Sequence, residues 1–212
     1  MSNSGDGTSA RRLTSRGAAT KARIVEAANQ LMFERGVALT TLADVRTASA
    51  TSKSQLYQHF ADKNALVREV IEFRAEALLA QQRRRLEKVD SLRGLELWRD
   101  EMVERNTLRD GAYGCPLGSI ANEIADQDDD TRRIIANHFD EWLQIIVDTI
   151  DRLKARGVLR GDADPRALAG GLLAALQGGY LLAKTSRDVS LMRVAVDMAI
   201  AQIRAFSTAS DD

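Results

Sequence analysis

The sequence predicts an all-α protein of about nine helices. Apolar residues recur three and four positions apart through most of the chain. Only two prolines interrupt it, and Ala, Leu, Arg and Glu, all good helix formers, are abundant. No segment alternates apolar and polar residues as a half-buried strand would.

Residues 1–17 read as a flexible polar arm. Residues 19–35 set Ile24, Ala27, Ala28, Leu31 and Met32 on one helical face, and Gly36 is a stop. Thr41 with Asp44 is a capping-box start for a second helix, with Leu42, Val45 and Ala48 facing inward. Ser52 with Gln55 repeats that signal for a third, in which Leu56 and Phe60 face the core. Asp62 caps a long fourth helix running through Leu66, Val70, Phe73 and Ala77 towards Glu87.

Ser91 starts a fifth helix that carries Leu95, Trp98, Met102 and Leu108. Arg109 to Gly118 reads as a loop with three glycines and a proline. A short sixth helix, Ser119 to Ala125, precedes an acidic loop. The seventh runs from Asp130 to Arg156, with Ile134, Ile135, Phe139, Trp142, Ile146 and Ile150, and Gly157 ends it. Asp164 followed by Pro165 opens the eighth: a capping carboxylate, then proline where no N–H is needed. That helix, to Lys184, is apolar nearly all round. The ninth spans Asp188 to Phe206, with Leu191, Val194, Val196, Met198 and Ile203. The expected organisation is the arm (1–17), a three-helix domain (18–64), a larger helical domain (65–206) and a flexible tail (207–212).

The chain carries 30 basic and 30 acidic residues, which argues against a non-specific nucleic-acid coat. The distribution is uneven. Residues 1–60 hold eight Lys and Arg against four Asp and Glu. No apolar run is long enough for a membrane span, and the first residues lack a signal peptide's apolar core. A single cysteine, Cys115, excludes an intramolecular disulfide and suits a reducing cytoplasm.

Catalytic and metal motifs are missing. Asp126-x-Asp128-x-Asp130 resembles the start of a calcium loop, but Thr131 stands where glycine is needed and Asn137 where the closing glutamate would be. His59 and His138 have no ligand-like neighbours for zinc. There is no phosphate-binding glycine loop and no serine elbow. No metal, cofactor or enzymatic activity is expected.

The segment Thr40 to Lys63 is the most informative. Two short helices joined by a tight turn can set the second in a DNA major groove while the first crosses the backbone. Ser52, Lys53, Ser54 and Gln55 would reach base edges: lysine can donate to guanine, and glutamine can pair with adenine. Thr41, Tyr57, His59 and Lys63 would grip phosphates, which set register. Arg11, Arg12 and Arg16 could follow an adjacent groove. The plain alternatives are that Ser52 and Gln55 only cap a helix and that Tyr57 packs in the core.

Leu56 to Leu66, LYQHFADKNAL, resembles the tetracycline-repressor family pattern of Leu-Tyr-x-His-Phe followed by a helix-starting lysine. The preceding amphipathic helix, the Gly36 stop and the Thr-rich second-helix start match it too. The resemblance implies a homodimeric helix-turn-helix repressor with a helical ligand-binding and dimerisation domain. It places the family's DNA-contacting tyrosine, histidine and lysine on Tyr57, His59 and Lys63. The turn departs from the pattern. Where the family has Ala-Gly-Val-Ser, this chain has Ser49-Ala50-Thr51-Ser52. If the turn geometry is kept, Ala50 costs about 1–2 kcal/mol in a left-handed conformation.

The glycines at 170, 171, 178 and 179 permit close helix approach, so the eighth helix is either the monomer's central core or part of a dimer contact; the resemblance implies the latter, with the helices near 165–184 and 188–206 forming it. A dimer presents two reading helices about 34–36 Å apart to a roughly palindromic double-stranded operator. A small-molecule effector pocket is expected among Trp98, Met102, Tyr113, Phe139, Trp142 and Tyr180, with Asn106, Glu123, His138 and Gln177 as polar orienting groups. Aromatic walls with few polar groups favour a flat or apolar effector. Two alternatives stand beside it: a redox or electrophile sensor using Cys115, its pKa lowered by Arg109, and a DNA-binding adaptor without a small ligand.

Overall fold

The structure is a computed structural model that describes residues 14–107 and 114–208. All regular elements among them are helices: α1 Ser15–Arg35, α2 Leu42–Ala48, α3 Lys53–His59, α4 Lys63–Leu86, α5 Leu92–Thr107, α6 Pro116–Ile124, α7 Asp129–Ala155, α8 Pro165–Ser186 and α9 Ser190–Arg204. Arg11, Arg12, Leu108, Arg109 and Tyr113 lie outside the described residues. The chain divides into two units after Val70.

In the first unit α1 packs on α2 and α3. Its core is Ile24, Ala28, Met32, Val45, Leu56 and Phe60, all nearly or fully buried. The first helix starts earlier than its apolar pattern suggests, because the Thr14 side chain accepts from the Gly17 N–H at 3.2 Å and caps residues 15–17 into it. Gly36 ends it with φ 86°, and its N–H donates to Met32 O. On α2, Val45 is buried but Ala48 is exposed, and Ser49 turns inward instead. Residues 45 and 49 are four apart, so they share a face that position 48 leaves.

In the second unit α8 packs on α7 and α9, α5 on α9 and α6 on α7. Trp142, Ile146, Ile150, Leu172, Leu176 and Met192 are fully buried. Gly179 allows the α8–α9 approach. A Cβ built there would stand 2.9 Å from the Met192 Cα, closer than real side chains come.

Two expectations fail on α4. Phe73 and Ala77 face outward, and Arg74, Ala75 and Leu78 take the inward positions. Counting from Val70, the buried stripe continues at the fourth residue, Arg74, whose charge disguises it as surface. Arg74 is only 6% exposed and donates to Pro116 O at 3.1 Å. Burial lowers its pKa to about 10, and nearby Glu123 partly offsets that.

The sixth helix also begins earlier, at Pro116 rather than Ser119. Proline occupies the first turn, and the Cys115 sulfur accepts from the Gly118 N–H at 3.2 Å, a thiol acting as N-cap. Phe206 falls beyond the end of α9 and lies under the Arg160 guanidinium, 5.2 Å from the ring centre. No helix among the described residues is long and apolar enough to cross a membrane.

Candidate nucleic-acid interface

Helices of seven residues do not persist alone in water, so α2 and α3 need local support. Both have it at their first turn. On α2, the Thr41 hydroxyl accepts from the Asp44 N–H at 3.2 Å, while the Asp44 carboxylate accepts from the Thr41 N–H at 3.0 Å and hydroxyl at 2.6 Å. These bonds from Thr41, with Arg35 2.8 Å from the same carboxylate, hold the Asp44 pKa below its ordinary value. On α3, the Gln55 N–H donates to Ser52 Oγ at 3.1 Å, and the Gln55 Oε1 accepts from the Ser52 N–H at 2.8 Å. Each such cap contributes about 1 kcal/mol.

The turn between them keeps its geometry without glycine. Ala50 has φ 50°, in the left-handed region. Its N–H donates to Thr47 O at 3.2 Å, and the Thr51 N–H donates to Arg46 O at 3.1 Å. The Ser49 and Thr51 hydroxyls, both buried, bond to each other at 2.8 Å.

Ser52, Lys53, Ser54, Tyr57 and Gln58 are exposed. Tyr57 is 49% exposed, so it is not a core residue, and its ring lies 5.9 Å from the Lys53 ammonium. Thr41 is exposed at the start of α2, and Arg46 is exposed later on the same helix. Lys63 opens α4, where the Asp62 carboxylate accepts from the Ala65 N–H at 2.7 Å. Its ammonium donates to Ala38 O at 3.3 Å, a contact that aims the side chain back over the first unit.

Two candidates sit less openly. His59 is half-buried beside Phe60. Gln55 is half-buried with its carbonyl oxygen engaged in the cap. Thr40 is buried, with its hydroxyl donating to Gly36 O at 2.8 Å. Gln58 is the exposed residue that sequence reasoning passed over. The available signal was its position, four residues after Ser54.

The effector candidates spread over the second unit. Trp98 donates from Nε1 to Gln82 at 3.0 Å, and Gln82 in turn reaches the Met102 sulfur at 3.5 Å. Phe139 stacks on Trp142 with ring centres 6.4 Å apart. His138 meets Glu72 at 3.0 Å through Nε2. Tyr180 is buried and its phenol pKa is pushed up by that burial. Asn106 donates to the Met192 sulfur at 3.3 Å. Asn106 Oδ1, Trp142 Nε1, Gln177 Nε2 and His138 Nδ1 are buried without a hydrogen-bond partner. Glu123 is half-buried on α6. No group of His, Cys, Asp or Glu among the described residues is arranged to hold a metal ion.

Two capped short helices joined by a left-handed turn, the second with an open polar face, define a helix-turn-helix DNA-binding module. Residues 24–70 match the family described as bacterial regulatory proteins, tetR family, and residues 92–199 match the tetracyclin repressor-like C-terminal domain. The chain belongs to the tetracycline-repressor family of transcriptional regulators. It is a regulator and not an enzyme.

A regulator encoded in the lacX 3' region of Lactococcus lactis subsp. lactis is 27% identical over 184 residues, covering 84% of this chain and 90% of that protein. The transcriptional repressor DhaR of Mycobacterium sp. strain GP1 is 29% identical over 167 residues, 78% and 82% of the two chains. The fold is shared with a TetR-family regulator from Cytophaga hutchinsonii, at TM-score 0.80 and 18% identity over 94% of this chain and all of that one.

Proposed function

We propose that the chain is a homodimeric repressor that binds a roughly palindromic operator and leaves it when a small molecule occupies the second unit. One observation carries this reading: an uncovered apolar face on α8 and α9. Leu181, Leu182, Leu191, Val194 and Met198 are exposed, Met198 by 70%. Gly171 and Gly178 have open space where a Cβ would stand. Leu191, Val194 and Met198 recur at helical spacing on one face of α9, and a grouped apolar face favours burial against a partner. A twofold mate of the same chain supplies a matching surface. The name of DhaR as a repressor supports the sign of regulation.

In this reading Lys53 and Ser54 face bases, while Thr41, Tyr57, His59 and Lys63 hold phosphates. The effector works only through a difference in affinity: it must bind better to a form whose two α3 helices are wrongly spaced. The unpartnered Asn106 Oδ1 and Trp142 Nε1 favour an effector with polar atoms as well as an apolar body, since buried polar groups rarely go unpaired. The work of such a repressor lies in the cytoplasm, with the DNA.

The sensor reading of Cys115 is the weaker one. The thiol is buried, and burial raises its pKa despite the nearby Gly118 and Leu117 N–H groups, Gln177 and Arg74. A protonated, covered thiol reacts slowly.

Selection of bound duplexes from random DNA, with sedimentation of the free protein, tests the proposal. A twofold-symmetric site and a sedimenting dimer are expected. A monomer at micromolar concentration, or no preference among duplexes at physiological salt, would overturn it.

A further inference from the structure

We infer that Gln58, and not Gln55, is the amide side chain that reads a base, and that the base is adenine. The inference rests on the reading of α3 as the groove-facing helix.

Both glutamines lie on α3, and their surroundings divide them. Gln55 is half-buried, and its Oε1 accepts from the Ser52 N–H at 2.8 Å. Bidentate pairing with adenine needs the amide oxygen and nitrogen together, the oxygen accepting from N6 and the nitrogen donating to N7. Gln55 cannot offer its oxygen without releasing the cap that starts α3. Gln58 is exposed, and its carboxamide is tied to no other described residue. Both of its ends are available.

Position agrees with chemistry. At about 100° per residue, Gln58 follows Ser54 by one turn and shares its face, with Tyr57 between them and Lys53. These are the exposed side chains of the helix. Gln55 lies on the side leading back to Leu56, which is 2% exposed.

Base preferences from random-duplex selection, measured for the full chain and three variants, test this. Wild type is expected to prefer adenine at one position in each half-site. Gln58→Ala should cut that preference about tenfold or more and leave other positions alone. Gln58→Glu should move it towards cytosine, whose amino group a carboxylate accepts. Gln55→Ala should lower the melting temperature and weaken all sequences together.

The inference is overturned if the Gln58 variants keep the wild-type preferences, or if Gln55→Ala changes the preference at a single position. Wild type without any preferred sequence would instead bring down the reading of α3 as groove-facing. Circular dichroism on each variant separates lost contacts from lost folding.

Discussion

The Ser49 and Thr51 hydroxyls meet at 2.8 Å across Ala50, which holds a φ of 50°. The bond joins the residues on either side of the strained one, so it supports a left-handed turn in a chain without glycine there. Ala50→Gly is expected to stabilise the first unit by about 0.5–1 kcal/mol, the relief of the left-handed penalty less the added freedom of the unfolded glycine. Urea denaturation of the two proteins measures it. Equal midpoints would mean that the added freedom of the unfolded glycine cancels the relief.

Lys63→Ala should weaken binding to every duplex and reduce the slope of log affinity against log salt by about one, the signature of one lost phosphate contact. Lys53→Ala should change sequence preference more than salt slope. Binding titrations at several salt concentrations distinguish the two.

The Asp44 carboxylate has a depressed pKa in the folded state, chiefly through its bonds from Thr41. Such a group stabilises the fold above its unfolded pKa of about 3.9, and that contribution is lost as pH falls through the lower folded value. Wild type should therefore melt higher than Asp44→Asn at neutral pH, with the gap closing below about pH 4. Thermal melts from pH 7 to pH 2 follow it. A gap that persists at the lowest pH would assign the difference to shape and not to charge.

Met198→Glu places a charge on the most exposed large apolar side chain of α9. It should convert the proposed dimer to a monomer and weaken operator binding, with the helical signal unchanged because Met198 is 70% exposed within the unit. Sedimentation and circular dichroism together decide this.

Gly178 and Gly179 are neighbours with opposite surroundings. A Cβ on Gly179 meets the Met192 backbone, and one on Gly178 meets nothing. Gly179→Ala should destabilise the second unit by roughly 1–3 kcal/mol. Gly178→Ala should leave its denaturation midpoint within experimental error at concentrations where the chain is monomeric.

That pair also marks where the sequence ran out. Signals that act over three or four residues were readable: both capping boxes, the Gly36 stop and the Asp164-Pro165 start all stand in the structure. Each is a bond between near neighbours, fixed by spacing alone. Partition of a face was not readable. The composition of α8 says that it is apolar all round, but not which glycine meets α9 and which is left uncovered. Arg74 was hidden for a related reason: a guanidinium buried against Pro116 O looks like any surface arginine until the helices are packed. On α3, the serine cap was read from sequence, but its consequence, an occupied Gln55 oxygen, emerged only with the bond itself.

The segment after α7 is tied to the residues after α9. The Arg160 N–H donates to Phe206 O at 2.8 Å, the Thr208 N–H donates to Val158 O at 3.1 Å, and Leu159 pairs with Ser207. The α8–α9 hairpin is thus latched shut at its base within one protomer. Exchange of that hairpin between two chains would first have to break the latch, which slows domain swapping. If the proposed dimer forms through α8 and α9, each protomer enters it with this latch already closed, so the proposal predicts an association that dilution reverses without unfolding either chain.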